Sequence, residues 1–335
     1  MSNKNRLNRF SSLDFMEKFD VFFPVFLIIV LFFMSFTLCI GSNHHNINVP
    51  DNLGNFPKNI NPLSGKKGEK DTFSFVVMAD TKGGGEITKS LFRKIRFANP
   101  FFTVILGDFL KAPSPVEHRY FTNLIRKTNY HHPIFLVAGN HDIKADNPAS
   151  LSLFEELYGP SNFCFSLNDC LFIFVNDRHT KFLDSCYQFL KQTLETEAEA
   201  SKHIFIFAHK PPFIQNNEGQ LNIHPAAQKF LDLFKTYQVD YVFSGHTHFY
   251  YRQKRDSTVY LIPGCGGAKI RNKKTDTFYR AVKVSLQGDT ITEQILSTDV
   301  KRRWSFDYFF HRRLLPFFRK MYVSLPLNSQ NSVIE

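Results

Sequence analysis

Apolar and polar positions alternate along most of this chain in a way that separates two kinds of element. Five short apolar runs, at residues 73–79, 102–106, 134–138, 204–208 and 241–244, are rich in Phe, Val and Ile and are bounded by Gly or polar residues. Runs of that length and composition read as buried β-strands. Between them lie stretches with helical spacing: 87–97 (apolar at Ile87, Leu91 and Ile95), 115–128, 151–158, 182–194, and 225–237 with Pro225 in its first turn. Residues 163–167 and 170–175 flank Asn168-Asp169 as a hairpin, and 260–262, 280–286 and 290–296 read as closing strands. Strands alternating with helices predict a layered α/β domain with mixed strand directions, and no internal repeat is visible.

The residues that follow the five runs carry the chemistry. They are Asp80, Gly107-Asp108, Gly139-Asn140-His141-Asp142, His209 and Gly245-His246-Thr247-His248. Open sheets bind ligands beyond the carboxyl ends of their strands. Asp, Asn and His are the oxygen and nitrogen donors that hold divalent metals while leaving positions for water and substrate. Any one of these residues alone would be read as a turn former or a hydrogen-bonded histidine. Five strand ends with the same property predict a metal-centred site.

Residues 21–40 are uncharged, with Pro24 the single proline, and have the length of a bilayer-spanning helix. A cleaved signal peptide is the competing reading. It is disfavoured by the length of the block, by the 20 residues before it and by the lack of a small-residue cleavage site after it. Leu38 before Cys39 also argues against a lipidated cysteine. Lys4, Arg6, Arg9 and Lys18 precede the block, whereas only Lys58 lies in the 20 residues after it. The positive-inside rule then places residues 1–20 in the cytoplasm, makes 21–40 an uncleaved signal anchor, and puts the rest of the chain on the far side. Residues 41–70, rich in Asn, Pro, Gly and Lys, read as a flexible linker in which His44-His45 is solvated. Residues 71–298 read as the α/β domain that carries these strand ends, and 299–335 as a tail.

The net charge of +11 would suit nucleic acid, but residues 301–320 hold seven basic side chains against one acid, Asp307. Most of the excess therefore lies in the tail, and no nucleic-acid partner is expected. The tail mixes these cations with Trp304, Phe310, Phe317 and other aromatics, as membrane-surface segments do. Pro316 interrupts it, and a terminal helix packed on the domain is the other reading. Cys164, Cys170, Cys186 and Cys265 read as buried free thiols, because a two-residue turn makes Leu167, not Cys164, face Cys170.

In this order, the Asp80, Gly-Asp, Gly-Asn-His-Asp, His209 and Gly-His-Thr-His motifs resemble those of the calcineurin-like metallophosphoesterase superfamily. The resemblance covers about residues 73–296, including the hairpin at 163–175 and the lead-in at 237–244. It implies a four-layer α/β/β/α metallophosphoesterase sandwich holding one or two divalent transition metals, with Mn, Fe or Zn the usual choices. Asp108 would bridge the two ions, Asn140, His209 and His246 would complete one site, and Asp80 and His248 would serve the other. His141 would stand near the leaving group as general acid or charge stabiliser, oriented by Asp142. The implied activity is hydrolysis of a phosphomonoester or phosphodiester by metal-activated water, here carried on the membrane anchor read from residues 21–40.

One position departs from that pattern. The family's first motif is usually Asp-x-His, and here it reads Asp80-Thr81-Lys82; an ammonium has no lone pair for a metal. Three arrangements remain open: two metals with a weakened first site and Lys82 turned to substrate, one metal with Lys82 supplying part of the missing charge, or a catalytically impaired phosphate-binding or scaffold module. Asp80 and His248, which serve only the first metal, favour the first arrangement. Lys82 thus joins His141 and Asp142 in the candidate catalytic set. Thr81-Lys82-Gly83-Gly84-Gly85 reads either as an anion cradle or as a plain glycine turn. Cys265 and His224 are candidates near the site, though a tight loop and a surface histidine are the simpler readings.

Overall fold

The computed structural model describes residues 47–59, 72–145, 147–177, 183–215, 221–223, 227–271 and 278–300. The predicted anchor at 21–40, the tail from 301 onwards, His44, His45 and His224 lie outside the described residues. Among the described residues no helix is long and apolar enough to cross a membrane.

Two sheets form the centre. The first has the order β13 (Thr290–Thr298), β12 (Tyr279–Gln287), β1 (Thr72–Met78), β2 (Phe102–Leu106), β3 (Ile134–Val137). The second has the order β10 (Tyr250–Arg255), β11 (Thr258–Pro263), β9 (Tyr241–Phe243), β6 (His203–Phe207), β5 (Cys170–Phe174), β4 (Phe163–Leu167). Strands β1, β2 and β3 run parallel, as do β5, β6, β9 and β11. A small separate hairpin joins β7 (Phe213–Gln215) to β8 (Leu221–Ile223).

Both faces of each sheet are covered, which is why the strands read as continuous apolar runs. Along β1, Phe73, Phe75 and Val77 face the second sheet, while Val76 and Met78 face the helices. Helices α1 (Gly85–Ala98), α2 (Pro115–Arg126) and α3 (Pro148–Tyr158) bury Ile87, Leu91, Phe121 and Phe154 against the first sheet. Helices α4 (Leu183–Glu197) and α5 (Gln228–Thr236) bury Leu190, Leu194 and Leu233 on the second. The layers are therefore helix, sheet, sheet, helix. The two sheets meet in phenylalanine: Phe75 stacks on Phe102 at 5.2 Å and meets the rings of Phe172, Phe205 and Phe243 edge-on at 5.3–5.8 Å. Each such aromatic pair adds about 0.5–1.5 kcal/mol beyond its buried area. This rigid slab fixes the relative positions of the strand ends.

The hairpin register pairs Leu167 with Cys170 and Cys164 with Ile173, as expected. Cys164, Cys170 and Cys186 are free thiols. One expectation is corrected. Residues 47–59, assigned to a flexible linker, lie against the first sheet. Leu53 is fully buried and bridges Ile134. The Asn55 side chain pairs with the edge of β3, accepting from Leu136 N at 2.8 Å and donating to Leu136 O at 3.0 Å. A segment in that position covers an open edge strand. Strand β10 and the β7–β8 hairpin were not expected either. β10 is a half-exposed edge strand of sequence Tyr-Tyr-Arg-Gln-Lys-Arg, and the hairpin strands are too short to show a period.

Candidate metal centre

The chain reverses sharply where the strands end. Asp80, Asp108, His246 and His248 all have positive φ, at 53°, 56°, 70° and 65°. Non-glycine residues in that region cost of order 1–3 kcal/mol each, and such strain clusters at functional sites. The reversals turn each side chain back across the ends of the strands. Gly107 must be glycine for a second reason: with φ of 76°, a Cβ there would lie 2.5 Å from His209 Nδ1 and 2.8 Å from Gly139 Cα. Backbone bonds then tie the turns together. Lys82 N donates to Asp108 O at 3.0 Å, Gly245 N to His209 O at 2.9 Å, and His246 N to Asp80 Oδ2 at 2.9 Å.

Two clusters of donor atoms result, sharing Asp108. In the first, His209 is fully buried and its Nδ1 donates to Leu106 O at 2.8 Å. That bond sets the tautomer and turns Nε2 inward. Around Nε2 lie Asn140 Oδ1 at 3.2 Å, His246 Nδ1 at 3.3 Å and Asp108 Oδ1 at 3.4 Å. When His209 is protonated its Nε2–H is shared with the Asp108 and Asn140 oxygens, and a divalent ion in place of that proton would meet the same donor atoms. Metal–ligand bonds of about 2.0–2.1 Å give ligand–ligand edges of roughly 3.0–3.4 Å. The four residues therefore fit one divalent ion.

In the second cluster, His248 Nδ1 donates to Lys269 O at 2.8 Å, and its Nε2 lies 3.1 Å from Asp80 Oδ1. Both of these atoms are buried with no hydrogen-bond partner. The third corner is Asp108, whose Oδ2 is paired with the ammonium of Lys82 on a side chain only 11% exposed. The residue that breaks the family's motif thus sits on the carboxylate that the two clusters share.

The charges respond to this crowding. Burial alone would raise the Asp108 carboxyl, but the positive charges of His209 and Lys82 and the Lys82 hydrogen bond hold it well below the usual range. Burial and the neighbouring His209 push His246 down to about 4. His209 moves up, because Asp108, Asp80 and Asp177 together outweigh its burial.

His141 and Asp142 part company. His141 Nδ1 donates to Lys111 O at 2.9 Å, and Nε2 stands 4.0 Å from Asp108 Oδ2 on a ring that is 35% exposed. The expected orientation by Asp142 is not what the structure contains. The Asp142 carboxylate accepts from Asp108 N at 2.6 Å, Gly139 N at 2.7 Å and Leu110 N at 2.9 Å, and so braces two ligand turns from beneath. The four-residue motif places Asp142 next to His141, but the turn points the two side chains apart. The glycine run at 83–85 is likewise a packing device: a Cβ on Gly84 would collide with Gly267, and Gly84 N is already bonded to Thr81 O at 3.1 Å. Cys265 is buried in the facing loop and donates toward the His248 carbonyl at 3.6 Å. Sequence reasoning passed over Asp177, just past β5, whose Oδ2 accepts from Lys210 N at 2.6 Å beside His209. Its signal was the same as the others, a carboxylate shortly after an apolar strand. The orienting carbonyls of Leu106, Lys111 and Lys269 leave no trace in side-chain identity.

Comparison with known proteins bears on the fold and the family. No curated protein sequence matches the chain. Among solved structures, a purple acid phosphatase from yellow lupin (Lupinus luteus) seeds superposes with a TM-score of 0.56 at 15% identity, covering 69% of this chain and 52% of its own. This chain thus spans about half the length of the lupin protein. A dimetal phosphatase from Danio rerio gives 0.52 at 13% identity, covering 70% of this chain and 100% of its own. GAP50, the anchor in the inner membrane complex of Plasmodium, gives 0.51 at 18%, covering 70% and 87%. At such identities these likenesses establish the fold alone. The sequence profile of the calcineurin-like phosphoesterases reaches further, matching residues 73–250, a span that opens at β1 and closes just past the Gly-His-Thr-His turn. That span holds all six donor residues and more than half of the chain, and the protein therefore belongs to the calcineurin-like phosphoesterase family.

Proposed function

We propose that the protein is a metal-dependent phosphoesterase acting on a phosphomonoester or phosphodiester. One observation carries this reading: Asp108, Asn140 and His246 arrive from three different turns at 3.2–3.4 Å from a single nitrogen of buried His209. A divalent ion held there, with Mn, Fe or Zn the expected choices, would supply Lewis-acid chemistry at a phosphoryl oxygen and acidify a water. The protein's own groups do the rest. His141 presents Nε2 toward the opening and holds a proton at the leaving oxygen, with its ring fixed by the Lys111 carbonyl. Lys82 and Lys144 add positive charge around His141, which suits an anionic substrate. Asp142 acts through the backbone, by keeping the turns at 107–110 and 139 in place.

The placement belongs to the same proposal. An uncharged block at 21–40 behind four cations would anchor the domain outside the cytoplasm, with the basic aromatic tail as a second membrane contact. The test of activity is hydrolysis of p-nitrophenyl phosphate and bis(p-nitrophenyl) phosphate by the purified chain, with and without chelator. Chelator-sensitive turnover of either substrate is expected. A folded, metal-loaded protein inert on both would overturn the reading in favour of a catalytically impaired phosphate-ligand or scaffold module, which the Lys82–Asp108 ion pair favours.

A further inference from the structure

We propose that Lys82 takes the place of one metal ion, so that this chain binds a single divalent ion through Asp108, Asn140, His209 and His246 and carries a built-in ammonium where its relatives' first motif supplies a histidine. The inference rests on the metal site of the proposed phosphoesterase, but not on its activity.

The two oxygens of Asp108 divide the work. Oδ1 faces His209 Nε2 at 3.4 Å and accepts from His141 N at 2.9 Å, whereas Oδ2 is held by Lys82 Nζ. A carboxylate can bridge two ions through both oxygens or through one, and here either mode would place the second ion beside the fixed organic cation on Oδ2. The ammonium is well placed to stay. Its backbone is tied to the same residue, Lys82 N donating to Asp108 O at 3.0 Å, and its side chain is nearly buried. Moving it out would leave Asp108 to be compensated anew, while a divalent ion bound beside it would meet a like charge across one carboxylate. The remaining atoms, Asp80 Oδ1 and His248 Nε2, form a pair of donors 3.1 Å apart. Two protein ligands next to an ammonium make a poor site compared with four. A single positive charge that also donates hydrogen bonds does half of what an ion would do: it offsets the carboxylates and offers an N–H to a phosphoryl oxygen.

The test is metal content by mass spectrometry of the purified chain after loading with Mn or Zn and exhaustive dialysis, without substrate. One equivalent per chain is expected for the natural protein and two for Lys82→His. Lys82→Met, which removes the charge without adding a ligand, controls for loss of the ammonium alone and should retain one. Two equivalents in the natural protein, or none, would overturn the proposal, as would one equivalent displaced by His246→Ala no more readily than by His248→Ala. One bound ion without phosphoesterase activity would leave this inference standing and sink the proposed function. Two bound ions with activity would do the reverse.

Discussion

The His209 cluster and the His248 cluster share Asp108 and lie on the same platform of strand ends, yet only one is complete. The first gathers four donors from turns after β2, β3, β6 and β9. The second has three, Asp80, His248 and the shared Asp108, and an ammonium sits on the last of them. The difference shows how one residue, third in its motif, changes the charge of half a site. The backbone N of Lys82 is tied to Asp108 O at 3.0 Å, while its ammonium pairs with Asp108 Oδ2.

The sharpest way to break the comparison is to remove one histidine from each side. His246→Ala should release the ion and lower kcat/KM by about 10³-fold or more, since metal contributes several kcal/mol to transition-state stabilisation. His248→Ala should retain the ion and lose about tenfold at most. Equal losses, measured as kcat/KM together with metal content, would mean that the clusters are equivalent. His141→Ala addresses what both clusters serve. It should cost about 10²-fold in kcat with metal content unchanged, the range of a general acid, and full activity would remove that role.

Smaller effects test the frame beneath the clusters. Gly107→Ala should destabilise the fold by about 3 kcal/mol in urea unfolding, because it combines a left-handed backbone with a collision against His209. Asn55→Ala should cost about 2 kcal/mol, since it strips the hydrogen bonds from Leu136 on β3. β3 leads into Asn140, so this change should loosen the His209 cluster before the other. Acid titration needs a separate control. His118 is fully buried against the Tyr158 hydroxyl at 2.9 Å, and burial lowers it from 6.5 to about 4. The unfolded chain takes up this proton first as pH falls. His118 therefore leaves stability unaffected above about pH 6.5 and removes up to about 3 kcal/mol between there and pH 4. Urea midpoints across that range should fall, and His118→Gln should flatten the slope; an unchanged slope would place the acid sensitivity elsewhere.

The positions of the donors were legible because five of the strands are buried on both faces, which makes their ends conspicuous in the pattern. The motif spacing picked out six residues whose side chains the structure gathers into two clusters. What escaped notice depends on contacts between distant segments. The stretch at 47–59 has a linker's composition, and only the pairing of Asn55 with β3 makes it part of the domain. Strand β10 hid behind Arg252, Lys254 and Arg255, because an edge strand with one wet face need not look apolar. Asp142 was given the wrong neighbour, since adjacency in sequence does not fix which way a turn aims two side chains. Lys82 was visible as an anomaly, but its partner, 26 residues away, was not.

Anomalous diffraction from crystals of the chain loaded with Mn or Zn tests the central claim most directly. The account predicts one strong peak bonded to His209 Nε2, His246 Nδ1, Asn140 Oδ1 and Asp108 Oδ1, with Lys82 still on Asp108 Oδ2. Two peaks of equal height flanking Asp108, or a single peak between Asp80 and His248, would contradict it.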